Sequence, residues 1–310
     1  MSSARSWRLA LAGAVTAIFI WLISKEFRGG EILAVVARAA PLWVLLALVC
    51  VAAGYLVRIV RWRRLLLPLQ PSLKWHECAG PLLAGFAVNN LLPLRAGDVL
   101  RAAAFADRLG VSVGGTTISL VIERIFDALM LLIFLMVALW WFDVPQGLRF
   151  APLSPFDLDT EILWWLLPLM PVLGIGLLWL WLRSARLRSE VAAALHALRA
   201  TWRGRSLIEL GGWTLFVWIF EGSAFWCAAM ALSALVEPQA AWLAFPVATL
   251  ATLLPSTPGH VGTFDYFAAE AMQWLGNTVA GSLGFAILIH LLLWLPVTLA
   301  GLLWLWMRRT

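Results

Sequence analysis

Six segments of this chain are long enough and apolar enough to cross a lipid bilayer, which takes about 20 residues in a helix. They lie at 7–24, 41–58, 116–142, 163–182, 209–235 and 279–306. The chain has 310 residues and is 62% hydrophobic but only 13% charged, so a soluble domain of this size could not bury its apolar surface. The sequence therefore predicts an all-α polytopic membrane protein that forms a single integral membrane domain over residues 1–310.

Two nine-residue segments are similar to each other, and each lies at the end of a shorter apolar stretch. They read Leu-Leu-Pro-Leu-Arg-Ala-Gly-Asp-Val at 91–99 and Leu-Leu-Pro-Ser-Thr-Pro-Gly-His-Val at 253–261. Proline and glycine break helices, and paired broken segments in the two halves of a membrane protein are typical of a transporter with a site near the midplane. We therefore expect two re-entrant helical hairpins. Their arms are predicted at 78–93 with 97–107, and at 242–257 with 261–275.

The positions of lysine and arginine predict how these segments are oriented. The chain has 23 lysine and arginine residues. If each hairpin returns to the side that it enters from, most of these residues fall on one side of the membrane. An excess of positive residues in the loops marks the cytoplasmic side. We expect a multi-pass protein of the inner (plasma) membrane with both termini cytoplasmic. Three spans separate the hairpins, so the halves 41–142 and 209–306 are predicted to be inverted repeats, with 1–40 and 143–208 peripheral to them.

The net charge and the cysteine content exclude two other classes of function. The net charge is +6, but the cations flank apolar spans as in other membrane proteins, so we expect no nucleic-acid partner. The 3 cysteines and 4 histidines are dispersed and lack the spacing of metal ligands. We therefore expect no metal and no cofactor.

Two amides and two arginines surround the break in the first hairpin. Asn89 and Asn90 precede it, and amide side chains can satisfy the free backbone groups of a broken helix. Arg95 and Arg101 follow it, and guanidinium groups suit phosphate or carboxylate. Asp98 lies between the arginines in sequence and is expected to hold one of them in place. The pattern predicts substrate binding through an anionic group; the alternative is that both arginines only mark the cytoplasmic face.

Four ionisable residues that lie well inside predicted spans are candidates for the site. Glu123 and Asp127 share one helix face, with Arg124 beside Glu123, and Glu221 lies alone in a later span. Charges at this depth are costly and normally face the interior of the bundle. We expect the first two carboxylates to pair with an arginine of the first hairpin, or else to relay protons. Glu221 is expected to join the same central cavity or to be protonated.

The second break combines helix-breaking residues with groups that can replace lost backbone bonds. Pro258, Gly259 and Gly262 demand an irregular turn, and Asp265 follows at the position of a helix cap. His260 could titrate near neutral pH, although a single histidine is more often a hydrogen-bonded structural residue. All five residues are candidates for the substrate site between the hairpins.

A group rich in arginine ends the second predicted span. Its first members are Arg58, Arg61 and Trp62. They can be read as an anchor at the cytoplasmic membrane surface, and the alternative is a contact with phosphate headgroups.

These motifs together resemble the lysylphosphatidylglycerol synthase transmembrane family, the flippase-like (YbhN-type) domain also found in hopanoid-associated membrane proteins. Asp98 and Asp265 stand where that family usually has Glu, and His260 stands where it has a second Gly. The resemblance implies a protein of the inner membrane that translocates lipid. The residues that carry it are Arg58-x-x-Arg61-Trp62, Asn90-x-x-Pro93-x-Arg95-x-Gly97-Asp98-x-x-Arg101, Glu123-Arg124-x-x-Asp127 and Pro258-Gly259-x-x-Gly262-x-x-Asp265.

The leading functional hypothesis is a flippase or transporter for an anionic or polyprenyl-linked membrane lipid. Its headgroup would bind between the two hairpins, with Arg95 and Arg101 on the phosphate. We do not expect an enzyme, because no motif for metal, serine-hydrolase or glycosyl-transfer chemistry is present. Two alternatives stay open: an integral-membrane enzyme that acts on a lipid phosphate, and an accessory partner of a lipid-modifying enzyme.

Overall fold

The computed structural model describes residues 29–92, 95–142, 188–189, 192–193, 195–196, 204–254 and 258–307, and all regular structure in these residues is helical. The predicted all-α class is confirmed. A π-helical turn at Leu100–Ala104 and 3₁₀ turns at Pro238–Ala240 and Pro258–His260 supplement the α-helices. The α-helices are α1 (Gly29–Ala37), α2 (Pro41–Leu66), α3 (Trp75–Leu91), α4 (Ala96–Val99), α5 (Ala106–Leu109), α6 (Val113–Trp141), α7 (Gly204–Met230), α8 (Ala241–Ala251), α9 (Thr263–Gln273) and α10 (Val279–Trp306).

Three helices in the described part of the chain are long and apolar enough to cross a membrane: α2, α7 from Ser206, and α10. Helix α10 has the predicted bounds, whereas α7 ends at Met230 rather than at 235. Helix α2 continues beyond the predicted end at 58 to Leu66, so its arginines are helical residues rather than part of a loop. Helix α6 occupies the segment predicted at 116–142, and the predicted spans 7–24 and 163–182 lie outside the described residues.

Each predicted hairpin has helical arms on both sides of a short segment that lies outside the described residues, 93–94 in the first hairpin and 255–257 in the second. In the first, α3 leads to α4, the π-helical turn and α5; in the second, α8 leads to α9. The first arm of each contains a proline, Pro81 in α3 and Pro246 in α8. The long helix after each hairpin begins with a hydroxyl cap, because Ser112 accepts from the Gly115 amide and Thr278 from the Gly281 amide.

The two halves of the protein are packed reciprocally. Helix α10 of the second half packs along α3 of the first hairpin, and α6 of the first half packs along α8 of the second hairpin. Helices α2 and α7, which open the two halves, also pack against each other. Each hairpin is thus covered by the closing helix of the other half, and the two hairpin turns meet near the centre of the bundle.

Glycine allows the closest of these helix contacts. A Cβ atom on Gly301 of α10 would lie 2.3 Å from the carbonyl oxygen of Leu83 in α3. A Cβ atom on Gly80 would lie 1.9 Å from the ring of Trp304. Small residues at membrane helix interfaces permit such close packing, and here they fix the first hairpin against α10.

Candidate functional site

The turn of the first hairpin is held by the side chain of Asn89. Its Oδ1 accepts hydrogen bonds from the Gly97 amide at 2.7 Å and the Asp98 amide at 3.3 Å, and its Nδ2 donates to Asp98 Oδ1 at 3.2 Å. Asn90 donates to Thr298 Oγ1 of α10 at 2.8 Å. Asn89 therefore satisfies backbone groups of the broken segment, as the sequence predicted, whereas Asn90 fastens the end of α3 to α10.

Arg95 occupies an unusual backbone conformation in this turn. Its φ is +53°, and His260 in the second hairpin turn has φ +59°. These are the two non-glycine residues with positive φ in the described ranges. Such conformations are costly for a side chain with a Cβ atom and are held in place by the surrounding structure, often at functional sites. Each hairpin turn thus presents one strained basic residue.

The turn of the second hairpin is closed by Asp265. Its Oδ2 accepts from the Gly262 amide at 2.8 Å, so the predicted helix cap is confirmed. Its Oδ1 lies 2.7 Å from His290 Nδ1 of α10, and His290 Nε2 lies 3.0 Å from the Gly259 carbonyl oxygen. The sequence did not indicate a role for His290, because nothing near it in the chain suggests a polar partner.

A cavity of about 260 Å³ lies between the two hairpins and is walled by α2, α6, α7 and α10. Ten of the predicted site residues line it. The other predicted residues lie in the layers around it: Arg61, Trp62, Arg101, Glu123, Pro258, Gly262 and Asp265. The lining members are Arg58, Asn89, Asn90, Arg95, Asp98, Arg124, Asp127, Glu221, Gly259 and His260.

Arg101 lies behind the cavity rather than in its wall. The side chain is 0% exposed and donates two hydrogen bonds to Glu123, at 3.0 and 3.3 Å. Its guanidinium carbon lies 4.2 Å from the ring centre of Trp62. The predicted pairing with a hairpin arginine is confirmed for Glu123 by this contact, whereas Asp127 pairs with Arg61 of α2 instead. Because its charge is already matched, Arg101 stabilises the position of the hairpin against α2 and α6.

Arg61 and Trp62 lie inside the protein, which differs from their predicted position at the membrane surface. They are 1% and 0% exposed. Arg61 donates to Asp127 at 2.5 Å and lies 3.7 Å from Glu123, and Trp62 donates to Ser119. Helix α2 continues past residue 58 and turns these side chains toward α6, where the carboxylates lie.

Two other arginines in the cavity wall have carboxylate partners. Arg58 of α2 donates to Glu221 of α7 at 2.5 Å. Arg124 of α6 donates to Asp98 of the first hairpin at 3.3 Å. Asp98 was expected to hold Arg95 or Arg101, but it contacts the span arginine instead. These pairs connect the hairpin and three long helices around the cavity.

Arg95 differs from the other arginines of the site. Among the described residues no carboxylate lies within ion-pair distance of it, and its Nη2 is 3.4 Å from the Thr252 carbonyl oxygen in the second hairpin. Two further donors, Nε of Arg124 and Nε1 of Trp294, are buried without an acceptor, and both residues line the cavity. Buried donors normally have partners. The residues that line the cavity therefore include one with an unmatched positive charge and two that each carry a buried donor without an acceptor.

Metal binding has no support in the described part of the chain, where no group of three or more histidine, cysteine or acidic side chains could hold an ion. The pair formed by His290 and Asp265 is too small to serve as such a site.

Comparison with known proteins identifies the family. The sequence model of the family described as "Lysylphosphatidylglycerol synthase TM region" matches residues 9–301, which include both hairpins and, among the described helices, α2, α6, α7 and most of α10. No curated protein matches the chain.

Proposed function

This chain belongs to the lysylphosphatidylglycerol synthase transmembrane family, and we propose that it is a flippase that moves an anionic or polyprenyl-linked lipid across the bacterial inner membrane. The headgroup binds in the cavity between the two hairpins, while the tail stays in the bilayer. The family is described as the membrane region of lysylphosphatidylglycerol synthase, so membership supports a role related to membrane lipids.

The observation that carries this proposal is the unmatched charge of Arg95. A guanidinium group at the centre of a membrane bundle is costly unless an anion neutralises it. Arg124 and Trp294 line the same cavity, and each carries a further buried donor without an acceptor. A phosphate group has several acceptor oxygens and binds guanidinium donors in a planar, charge-assisted geometry. An anionic headgroup bound at Arg95 would therefore neutralise its charge.

Other charged residues of the cavity are held in position by ion pairs. Glu221 holds Arg58, and Asp98 holds Arg124, in the wall of the cavity. A bound phosphate would compete with Asp98 for Arg124. This competition would weaken a contact between the first hairpin and α6 when substrate binds, which gives the lipid a means of shifting the conformational equilibrium.

The reciprocal packing of the halves supports alternating access. We interpret residues 41–142 and 209–306 as inverted repeats, with the first hairpin entering from the cytoplasm and the second from the opposite side. In transporters built this way, the site lies between the repeats and opens to each side in turn. The inner-membrane location and the cytoplasmic termini belong to the same proposal.

The charge pairing favours transport over catalysis. The carboxylates of Asp98, Asp127 and Glu221 line the cavity, and each accepts hydrogen bonds from an arginine. A general base must reach the proton that it removes, and these carboxylates already accept hydrogen bonds from arginine side chains. We therefore do not assign an enzymatic activity to the cavity, and an accessory role beside a lipid-modifying enzyme stays the second candidate.

Transport can be tested before the lipid is identified. The protein is extracted in native-membrane nanodiscs, and its retained lipids are determined by mass spectrometry. The most enriched anionic lipid is then given an acyl-chain label and reconstituted with the purified protein in vesicles. We expect faster exchange of the label between leaflets than in protein-free vesicles. Equal rates, or retained lipids that match the bulk membrane, would contradict the flippase assignment.

A further inference from the structure

His290 contacts two hydrogen-bond acceptors at the same time. Its Nδ1 lies 2.7 Å from the Asp265 carboxylate, and its Nε2 lies 3.0 Å from the carbonyl oxygen of Gly259. A carbonyl oxygen can only accept, so Nε2 must carry a hydrogen. The bond to Asp265 then needs a second hydrogen, either on Nδ1 or on the carboxyl group.

The geometry points to a proton-binding site: we propose that Asp265 and His290 share one exchangeable proton, and that its release loosens the turn of the second hairpin. The bound state is either imidazolium beside carboxylate or neutral imidazole beside carboxylic acid; both hold the same number of protons. His290 lines the cavity, so the proton leaves to water there and is replaced from it.

Loss of the proton must break one of the two contacts. A neutral ring has a single N–H group. If the hydrogen stays on Nε2, the lone pair of Nδ1 faces the ionised Asp265 and repels it. If it moves to Nδ1, the Gly259 carbonyl oxygen loses its donor. Either arrangement leaves the turn with one hydrogen bond fewer than the protonated pair provides.

The turn held by His290 lies against the first hairpin. Gly259 has φ +71°, and a Cβ atom there would lie 3.2 Å from the carbonyl oxygen of Asn90 and 2.7 Å from Nε1 of Trp294. No room is left between this turn and the end of α3. Release of Gly259 therefore acts on the contact between the two hairpins, where a transporter of this architecture must open and close.

The surroundings of the pair contain both signs of charge. Glu270 lies on α9 beyond Asp265. Further charged and titratable residues line the cavity together with His290. Because these charges respond to a bound anion, headgroup binding and protonation are expected to influence each other. The cavity groups are His260 and Arg95 in the turns, Arg58 on α2, Asp98 in the first hairpin, Arg124 and Asp127 on α6, and Glu221 on α7.

Proton binding can be measured apart from transport, by NMR of the labelled histidine ring nitrogens in the full-length purified protein. The His290 signals are assigned by comparison with His290→Gln, and His260→Gln serves as the matched control for the second cavity histidine. We expect both nitrogens, or Nε2 together with the Asp265 carboxyl, to be protonated at the acid end of a pH titration, and one proton to be lost as the pH is raised across the range in which the protein stays folded. A neutral ring protonated on Nδ1 alone, or no change over that range, would overturn the proposal.

Asp265→Asn is the most informative variant. An asparagine can donate from its amide to Nδ1 of a neutral ring and still accept from Gly262, so the turn keeps its bonds without the proton. We expect this variant to fold, to keep Nε2 protonated throughout the titration and to lose the pH-dependent step. A pH-dependent step identical to that of the wild type would place the proton elsewhere and overturn the assignment to this pair.

The coupling of this proton to lipid movement rests on the proposed function, and vesicle measurements separate the two. With one proton per lipid, a gradient of about one pH unit should change the ratio of labelled lipid between leaflets up to about tenfold, and Asp265→Asn should abolish that effect. If the wild type moves no lipid but the ring titrates, the flippase assignment fails and the proton site stands. If lipid moves without any effect of the gradient, the coupling is overturned.

Discussion

Most charged side chains in the centre of this protein neutralise one another. Arg61, Arg101, Glu123 and Asp127 form a buried group that joins α2, the first hairpin and α6. Removing one partner of a buried ion pair leaves an uncompensated charge, which is far more costly than losing an exposed pair. These residues therefore carry the fold around the cavity, whereas Arg95 is available to a ligand.

Replacement of Glu123 should accordingly destabilise the protein. We expect Glu123→Gln to lower the free energy of unfolding by about 3–5 kcal/mol, because Arg101 and Arg61 keep their charge in a buried position. Thermal unfolding of the purified protein in detergent measures this. The matched control is Glu209→Gln, which removes the exposed pair with Arg64 and should cost no more than about 1 kcal/mol. Equal shifts in the two variants would contradict the structural role of the buried group.

The sequence predicted some of these residue contacts and not others. The Arg101–Glu123 pair could be expected, because the broken segment carries an arginine and the span carries carboxylates. Each of these buried charges needs a partner of opposite sign. The Asp265 cap is a local signal three residues from its partner amide. The partner of Glu221 could not be identified, because Arg58 lies 163 positions away and one sequence holds no information on which helices meet.

The first hairpin depends on a close contact between its two arms. A Cβ atom on Gly97 of α4 would lie 1.8 Å from the carbonyl oxygen of Gly85 in α3 and 2.8 Å from Asn89 Oδ1. No side chain can move to relieve the backbone overlap. The contact places Arg95 and Asp98 at the cavity, so the geometry of the site depends on it.

Gly97→Ala should therefore destabilise the protein by about 1–3 kcal/mol, the usual cost of overpacking, and should reduce the amount of lipid retained on purification. Gly211→Ala is the matched control, because Gly211 lies in helix α7 with nothing within 4 Å of an added Cβ atom. That variant should be neutral or more stable by up to about 1 kcal/mol, since alanine favours helix. A thermal unfolding series compares the two, and similar destabilisation in both would argue against the close contact.

Proline and glycine predicted both hairpins, but they did not predict the details of the arms. Helix α2 continues to Leu66 and brings Arg61 to the carboxylates of α6, although four arginines near its end resembled a loop at the membrane surface. The π-helical turn at Leu100–Ala104 was also unpredicted. It includes Arg101, and a change of helical winding of this kind re-aims side chains in a way that hydrophobic periodicity does not reveal.

At the scale of the whole molecule, both halves of the protein are needed to form the cavity. The long helix that closes one half packs on the hairpin of the other half, so the cavity exists only when both halves are folded together. The two similar nine-residue segments in the sequence indicated two related hairpins. Their reciprocal packing could not be predicted, because it depends on contacts between residues more than a hundred positions apart.

The proposed inverted topology can be tested by labelling single cysteines in intact cells. With Cys50, Cys78 and Cys227 replaced, Ser72→Cys lies in the exposed loop before the first hairpin and Ser233→Cys in the exposed loop before the second. We expect a membrane-impermeant maleimide to label Ser233→Cys from outside, and Ser72→Cys only after the membrane is opened. Labelling of both positions from the same side would rule out inverted repeats.

The central claim is that Arg95 holds an anionic headgroup, and lipid retention in native-membrane nanodiscs tests it most directly. Mass spectrometry would compare the wild type with Arg95→Gln, Arg95→Lys and the exposed control Arg64→Gln. A charge-assisted hydrogen bond contributes about 1.5–3 kcal/mol, so Arg95→Gln should retain the enriched anionic lipid about ten to a hundred times less. Arg95→Lys should retain an intermediate amount, and Arg64→Gln as much as the wild type. Equal enrichment in Arg95→Gln and the wild type would contradict the account.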